Sequence, residues 1–295
     1  MMDLSLLPAP DIIDAKDYET ILSELKADII LRDPSLAAAI AVESDPLLKL
    51  AESFAYRELG LRKHINDSAR AVMLAHATGA DLDNLAAFFD VTRLLIDAGN
   101  NQAVPPVPPT YESDTDLRNR VLLALYARST AGPSGAYIYR ALSADGDVKD
   151  AKATRPADGQ VQVTVLSRTG DGTAPQALLD AVTLVLSDKD VRPLTDQVSV
   201  ASAVITAFDV TAQITVYPGP DSAVVLAESQ ASLATYLDSH HKLGHDITLS
   251  GLYAALTVTG VQKVTMTAPV ADIVIDDLHA AYATTQTVTV AGTAT

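Results

Sequence analysis

The chain has no cysteine and no tryptophan, and only 5% of its 295 residues are aromatic. Without cysteine there is no disulfide framework and no zinc–thiolate site, and folding is indifferent to the redox state of the compartment. With so few large rings, the core has to be built from Ala, Val, Leu and Ile on regular elements. The 48% hydrophobic content is enough to exclude disorder for most of the length. Basic residues are scarce: 21 Lys plus Arg stand against 37 Asp plus Glu, a formal net charge of -16. No Lys/Arg cluster is long enough to follow a phosphate backbone, which argues against nucleic acid and anionic membrane as partners. Long apolar runs are missing too. The richest windows, residues 36–42 and 223–227, fall far below the roughly 20 residues that cross a bilayer. At the start, Asp3 stands where a secretion signal carries positive charge, and Pro8 and Pro10 interrupt the short apolar stretch. The expectation is a cytoplasmic chain that leaves the cell only inside a larger object.

Catalytic signatures are also lacking, so the chain is expected not to be an enzyme and to use no cofactor. Gly132-Pro-Ser-Gly135 misses the Gly-x-Ser-x-Gly spacing of a hydrolase elbow, and neither a dinucleotide fingerprint nor a phosphate-cradling loop occurs. His241 and His245 share an i, i+4 spacing, but Gly244 lies between them and no HExxH acid accompanies them. A cluster of cations at a helix C-terminus explains His240, His241 and His245 without a metal. Asp81-Leu-Asp-Asn84 resembles a fragment of a calcium loop but lacks its Gly and terminal Glu. Asp81 or Asp83 reads instead as a helix N-cap.

What is present is periodicity. Asp17 caps a helix with Ile21, Leu25 and Ile29 at four-residue spacing, ended by Asp33-Pro34. Asp45-Pro46 opens a long helix running to about His76 and stopped by Gly79. On it Leu47, Phe54 and Leu61 repeat every seven residues, with Ala51, Ile65 and Val72 in the adjoining row. That apolar stripe is too long for one small domain to cover. It packs either on the chain's own first helix or on another chain, and Leu47, Phe54, Leu61, Ile65 and Val72 are the candidate partner interface. A short helix follows over residues 81–89, with Leu82, Leu85 and Phe88 or Phe89 on one face.

Val104-Pro-Pro-Val-Pro-Pro109 favours polyproline II and marks a semi-rigid spacer. Beyond it, Asp114 or Ser113 caps a helix through Leu117, Val121 and Leu125, and a second helix runs over residues 136–142. Residues 160–166 then alternate as a half-buried strand does, residues 175–186 are helical, and residues 191–200 form an edge strand with Pro193 near its start. The order recurs: a strand at 208–217, helices at 223–237 and 248–256, and strands at 261–267 and 286–290. The fold class is therefore α+β: an N-terminal helical domain with one long helix (1–103), a Pro-rich linker (104–110), and two small mixed α+β modules (111–204 and 205–295).

Four blocks, in order and spacing, carry a resemblance. The main one contains Asp67-Ser-Ala-Arg-Ala-Val-Met-Leu-Ala-His76 and Thr78-Gly-Ala-Asp-Leu-Asp-Asn-Leu-Ala-Ala-Phe-Phe-Asp-Val-Thr-Arg93. The others are Pro8-Ala-Pro-Asp-Ile-Ile-Asp14 with Tyr18-Glu-Thr-Ile-Leu22, Glu112-Ser-Asp-Thr-Asp-Leu-Arg-Asn-Arg120, and Val191-Arg-Pro-Leu-Thr-Asp196 beyond Gly159-Gln-Val-Gln-Val-Thr-Val165. Together they resemble the baseplate assembly protein J family of contractile-tailed phages and R-type phage-tail-like bacteriocins. The resemblance is close over about the first 200 residues and extends to the last third through its element order.

The resemblance implies a structural wedge subunit of a baseplate. Copies pair with each other and with a second wedge protein, of protein I type, through a helical bundle that forms a ring around the central hub and tail tube. Contact with the sheath-initiator protein couples baseplate rearrangement to sheath contraction. The location implied is the cytoplasm of the producing bacterium during assembly, then the baseplate of the released particle. Two other readings stay open. A tail-associated cell-wall hydrolase would need a carboxylate pair in a cleft. A receptor-binding or fibre protein would show trimeric β repeats and aromatic tips, which the helical first third argues against.

Overall fold

The computed structural model describes residues 4–129, 132–188, 193, 195–219 and 221–294. The chain folds as two compact units, Met1–Thr92 and Arg93–Thr295.

The first unit is helical. Helix α1 (Tyr18–Arg32) starts at Asp17, whose carboxylate accepts the Thr20 amide at 2.7 Å, and stops at Asp33. The capping bonds hold the Asp17 carboxyl below its ordinary pKa. A single turn, α2 (Ala37–Ile40), leads to the long helix α3 (Pro46–Ala71). There Asp45 accepts the Leu47 amide at 2.8 Å, and Pro46 occupies the first turn, where its missing N–H costs nothing. The core is Ile21, Leu22, Ile40, Leu48, Ala51 and Ala55. The alanines let α1 and α3 approach closely, and the buried Ile and Leu each contribute about 1.5–3 kcal/mol.

Helix α3 ends at Ala71, short of the expected His76, because the chain tightens into turns: Met73 donates to the Arg70 carbonyl, and His76 and Ala77 to that of Met73. Gly79 does not stop α3. With φ of 53° it redirects the chain into α4 (Gly79–Ala87). Thr78 is therefore the N-cap in place of Asp81 or Asp83, and it makes no side-chain capping bond. Leu82 and Ala86 are buried while Phe88 is 81% exposed, so of the two phenylalanines only Phe89 turns inward.

The Pro-rich run is not a free spacer. Strand β1 (Leu95–Asp97) pairs antiparallel with β2 (Thr110–Tyr111), and Asn100 and Val107 exchange backbone bonds of 2.8 and 3.0 Å. Residues 104–109 thus belong to the outer part of a hairpin. Its base is closed by Arg93, which donates to the Glu112 carbonyl at 2.6 Å and to Asp114 at 2.7 Å.

Past the hairpin, Ser113 caps α5 (Asp114–Ala127), accepting the Asp116 amide at 3.1 Å. Then come α6 (Ser134–Ala144), β3 (Val148–Thr154), β4 (Gln160–Ser167), α7 (Gln176–Leu186) and β5 (Gln197–Ser202). The sheet order is β3-β4-β5, with β4 antiparallel to β3 and parallel to β5. The expected strand over 191–200 lies partly outside the described residues, and its described part is the edge strand β5.

The next sheet is built from β6 (Val204–Val216), β7 (Val261–Ala268) and β8 (His279–Thr293), with α8 (Ser222–His240) and α9 (Leu249–Leu256) between β6 and β7. Its order is β7-β6-β8, β6 being antiparallel to β7 and parallel to β8. Both sheets therefore flank a central strand with one antiparallel and one parallel neighbour. The recurrence read from sequence does not extend to connectivity, because the strand after α7 is parallel to its predecessor whereas the strand after α9 is antiparallel. Val210, Ala212, Ile214 and Val216 pack beneath Val225, Leu233, Leu252 and Leu256.

Strand β4 is more buried than a half-exposed strand. Val163 and Val165 enter the core beneath α6 and α7, while Leu166 packs the other way on Ala203, Leu243 and Ala280. Burial on both sides follows from a second module lying against the far face.

Candidate protein–protein interface

The stripe read from the sequence divides on α3. Leu47 is half-buried against the unit's own core. Phe54, Leu61, Ile65 and Val72 are 55, 59, 39 and 70% exposed, and Leu50, unremarked in the sequence, is 54% exposed. At 100° per residue, positions 54, 61, 65 and 72 lie roughly 90° around the helix from Leu48, Ala51 and Ala55. The helix thus carries two apolar faces, one occupied by α1 and one left open. A shallow groove lined by Leu25, Phe54, Arg57, Glu58 and Leu61 runs beside the open face.

The far half of the core-facing side is covered by an extended strap rather than by α1. Arg62, Asn66 and Arg70 stand at four-residue spacing, one turn apart. Asn66, 5% exposed, accepts the amides of Ile12 and Ile13 at 2.9 and 3.1 Å and donates to the Ile13 carbonyl at 3.0 Å. Arg70 pairs with Asp11 at 2.6 Å, and Arg62 reaches the Asp14 carbonyl at 3.3 Å. The strap is residues 10–14, within one of the quoted sequence blocks, and a polar ladder holds it. The signal for this was available: three polar residues continue the face that Leu48 and Ala55 begin.

In the second unit, Arg120 and Glu112 form a bidentate pair, both bonds 2.7 Å, with side chains 5 and 2% exposed. Glu112 also accepts the Leu94 amide at 3.2 Å, and Arg120 donates to Ser143 at 3.0 Å. The pair therefore ties the hairpin base to α5 and α6. Burying it is costly unless every lone pair and proton is used, and these bonds use most of them.

The two α+β modules meet at a polar seam. Lys149 pairs with Asp238 at 2.5 Å, Lys152 pairs with Asp277, and Asp150 accepts the Leu243 amide at 2.9 Å. Burial pushes the Asp150 carboxyl up, against the pull of the Leu243 and Ala151 amides and of Lys242 and His245. The Lys149 bond holds Asp238 down.

Beside the seam, burial lowers the pKa of His241 and His245, the Lys149 and Lys242 charges adding to the effect. Burial thus disfavours the charged form of both rings, opposing the dipole that would favour cations at a helix end. His241 lies over Tyr282, ring centroids 5.5 Å apart, and His240 bonds the Tyr236 carbonyl at 2.9 Å. Among the described residues, no three His, Asp or Glu side chains are placed to hold a metal ion. Among them too, no helix is long and apolar enough to cross a membrane.

These surfaces lie on the domains of one known family. The baseplate J-like N-terminal domain matches residues 43–100, the central domain residues 129–202 and the C-terminal domain residues 208–291. The chain belongs to the baseplate J-like family. It is similar end to end to baseplate protein J of Escherichia phage P2, with 44% identity over 297 aligned positions covering 99% of this chain and 98% of that protein. Membership gives the baseplate J-like chain a structural role in a phage-type baseplate and contacts with other baseplate proteins. The open face of α3 falls inside the N-terminal family domain, and the polar seam joins the central domain to the C-terminal one.

Proposed function

We propose that this baseplate J-like chain is a wedge subunit whose α3 packs through Phe54, Leu61, Ile65 and its C-cap residue Val72 into an inter-subunit helical bundle. In this reading a second copy and a second wedge protein, of protein I type, complete the bundle, and the wedges close a ring around the hub. Contacts with the sheath initiator pass the ring's rearrangement to the contracting sheath. The protein is made in the cytoplasm and ends in the baseplate of the released phage or bacteriocin particle.

The single observation that carries the reading is the second apolar face of α3. An exposed row of Phe, Leu, Ile and Val is out of place on an isolated soluble helix and in place at a helix–helix contact. Co-expression with the neighbouring wedge protein, followed by measurement of complex mass, tests it. The double variant Phe54→Asp/Leu61→Asp is expected to stay folded and to form no complex. Normal assembly by that variant would remove the bundle assignment.

A further inference from the structure

The contact between the two α+β modules is built differently from the packing inside either. Each module closes a core of its own, with Val163, Val165, Leu178 and Val182 in the first and Val210, Ile214, Leu233 and Leu252 in the second. The seam has only a small separate patch, Leu166, Ala203, Leu243 and Ala280, with Ile205 beside it. The chain crosses there through a single residue. Strand β5 ends at Ser202 and β6 begins at Val204, so Ala203 alone lies between the sheets. Its amide donates to Val165 of the first module at 2.8 Å, and the next amide, that of Val204, donates to Leu278 of the second at 3.0 Å. Among the described residues no backbone–backbone hydrogen bond joins one module to the other. The hydrogen bonds across the seam are those of the Lys149, Asp150 and Lys152 side chains.

Parts of the seam are unfavourable when closed. Thr164 Oγ1 and His241 Nε2 are buried without a hydrogen bond among the described residues. Thr164 stands opposite Lys152 in the β3–β4 ladder and so shares the face that Lys152 turns to the second module. Unpaired buried polar atoms destabilise the closed form, and water reaches them on opening. Burial also disfavours the charged forms of Asp150, His241 and His245. The fit is nevertheless close. A β-carbon on Gly172 would stand 2.7 Å from His241 Nε2, and one on Gly244 would stand 2.6 Å from Lys152 Nζ. A contact this tight is not deformed by degrees; it is either made or broken.

We propose that the seam is a two-position latch: the C-terminal module swings away from the central one about Ala203 as an intact body, while both sheets and both cores stay closed. The latch is the pair of ion pairs, Lys149 with Asp238 and Lys152 with Asp277, whose carboxylate side chains are 79 and 63% exposed. Pairs of that kind hold weakly. Opening uncovers Thr164, Leu166, Leu243 and Ala280 and breaks no strand pairing, so it belongs to the low-energy, sub-global openings of a folded chain. It gives the chain a joint within its own length, where a change of shape can be taken up without unfolding. It uses no residue of α3 and stands apart from the bundle assignment.

The absence of cysteine makes the test direct, because one introduced thiol reports the opening of its own site. Thr164→Cys and Ala280→Cys place it at the seam, one on each module; Ala141→Cys and Ala212→Cys place it in the two module cores, and all four positions are buried. The full chain is labelled with an aryl disulfide under native conditions. Both seam thiols are expected to react at least about tenfold faster than both core thiols. Adding Asp238→Asn/Asp277→Asn, changed only at exposed side chains, should speed the seam thiols about two- to thirtyfold and leave the core thiols as they were. Phe54→Asp/Leu61→Asp should leave all four rates unchanged, so the latch and the bundle assignment fail separately. Seam thiols no faster than core thiols would mean that the seam opens only when the modules unfold, and would overturn the proposal. So would an Asn pair that speeds seam and core alike, or that speeds neither.

Discussion

Removing the Glu112 carboxylate probes the part of the second unit that the sequence least advertised. The change Glu112→Ala removes the two 2.7 Å bonds that Glu112 makes to the Arg120 side chain, 5% exposed, and leaves the Leu94 amide without that acceptor. Removing one side of a buried ion pair costs about 3–5 kcal/mol. For a cooperative unit the size of Arg93–Thr295, each kcal/mol moves the melting temperature by about 2–4 °C. The expected drop is thus about 6–20 °C, read by calorimetry as a shift of one transition while that of the helical unit stays in place. Replacing both partners, Glu112→Leu with Arg120→Met, removes the charges together and should restore most of the loss. A single variant that loses less than about 1 kcal/mol, the range of an exposed pair, would refute the reasoning. So would a double variant as unstable as the single one.

Other perturbations follow from the same geometry. Asn66→Ala breaks three bonds to the strap and should speed proteolytic cleavage within residues 10–14 while leaving helix content unchanged by circular dichroism. Asp150 has a folded pKa raised above its ordinary 3.8, so the stability linked to it is complete below that value and is lost as pH rises through the folded pKa. Asp150→Asn, which can still accept the Leu243 amide, should therefore raise the melting temperature at pH 7 and leave it unchanged at pH 3. His241 and His245 have folded pKa values below 6.5, so unfolded chains take up protons first, and stability should fall as pH drops through that value. His241→Gln/His245→Gln should flatten this decline in denaturant titrations between pH 7.5 and 5.5. A slope unaffected by the substitution would remove these rings as its cause.

The elements that announce themselves by local chemistry were legible in the sequence. Asp17 and Asp45 cap helices where their spacing places them, Ser113 rather than Asp114 caps the helix offered to either, and the alternation after Gly159 marks β4. Strand β3 escaped because Lys149, Asp150 and Lys152 break its apolar pattern, and those residues are charged because they meet a second module. The Pro-rich run has the composition of a spacer, yet it sits in a hairpin because Arg93 and Glu112 close the base, a contact across 19 positions that no local pattern shows. Glu112 and Arg120 stood in a quoted sequence block without a role, since burial of an ion pair depends on the packing of α5 on α6. On α3 the stripe could be seen, but its division could not. Only the position of α1 separates Leu47, which it partly covers, from Phe54, Leu61, Ile65 and Val72.

The proposed wedge role rests on that open face, and hydroxyl-radical footprinting of Phe54 and Leu61 in finished particles, compared with the free chain, tests it most directly. Both side chains are more than half exposed in the free protein and should label readily there. Inside the assembled baseplate they should be protected, while Phe88, 81% exposed and on a different helix, serves as the internal reference. Labelling of Phe54 and Leu61 that is equal in the particle and in the free chain would contradict the account.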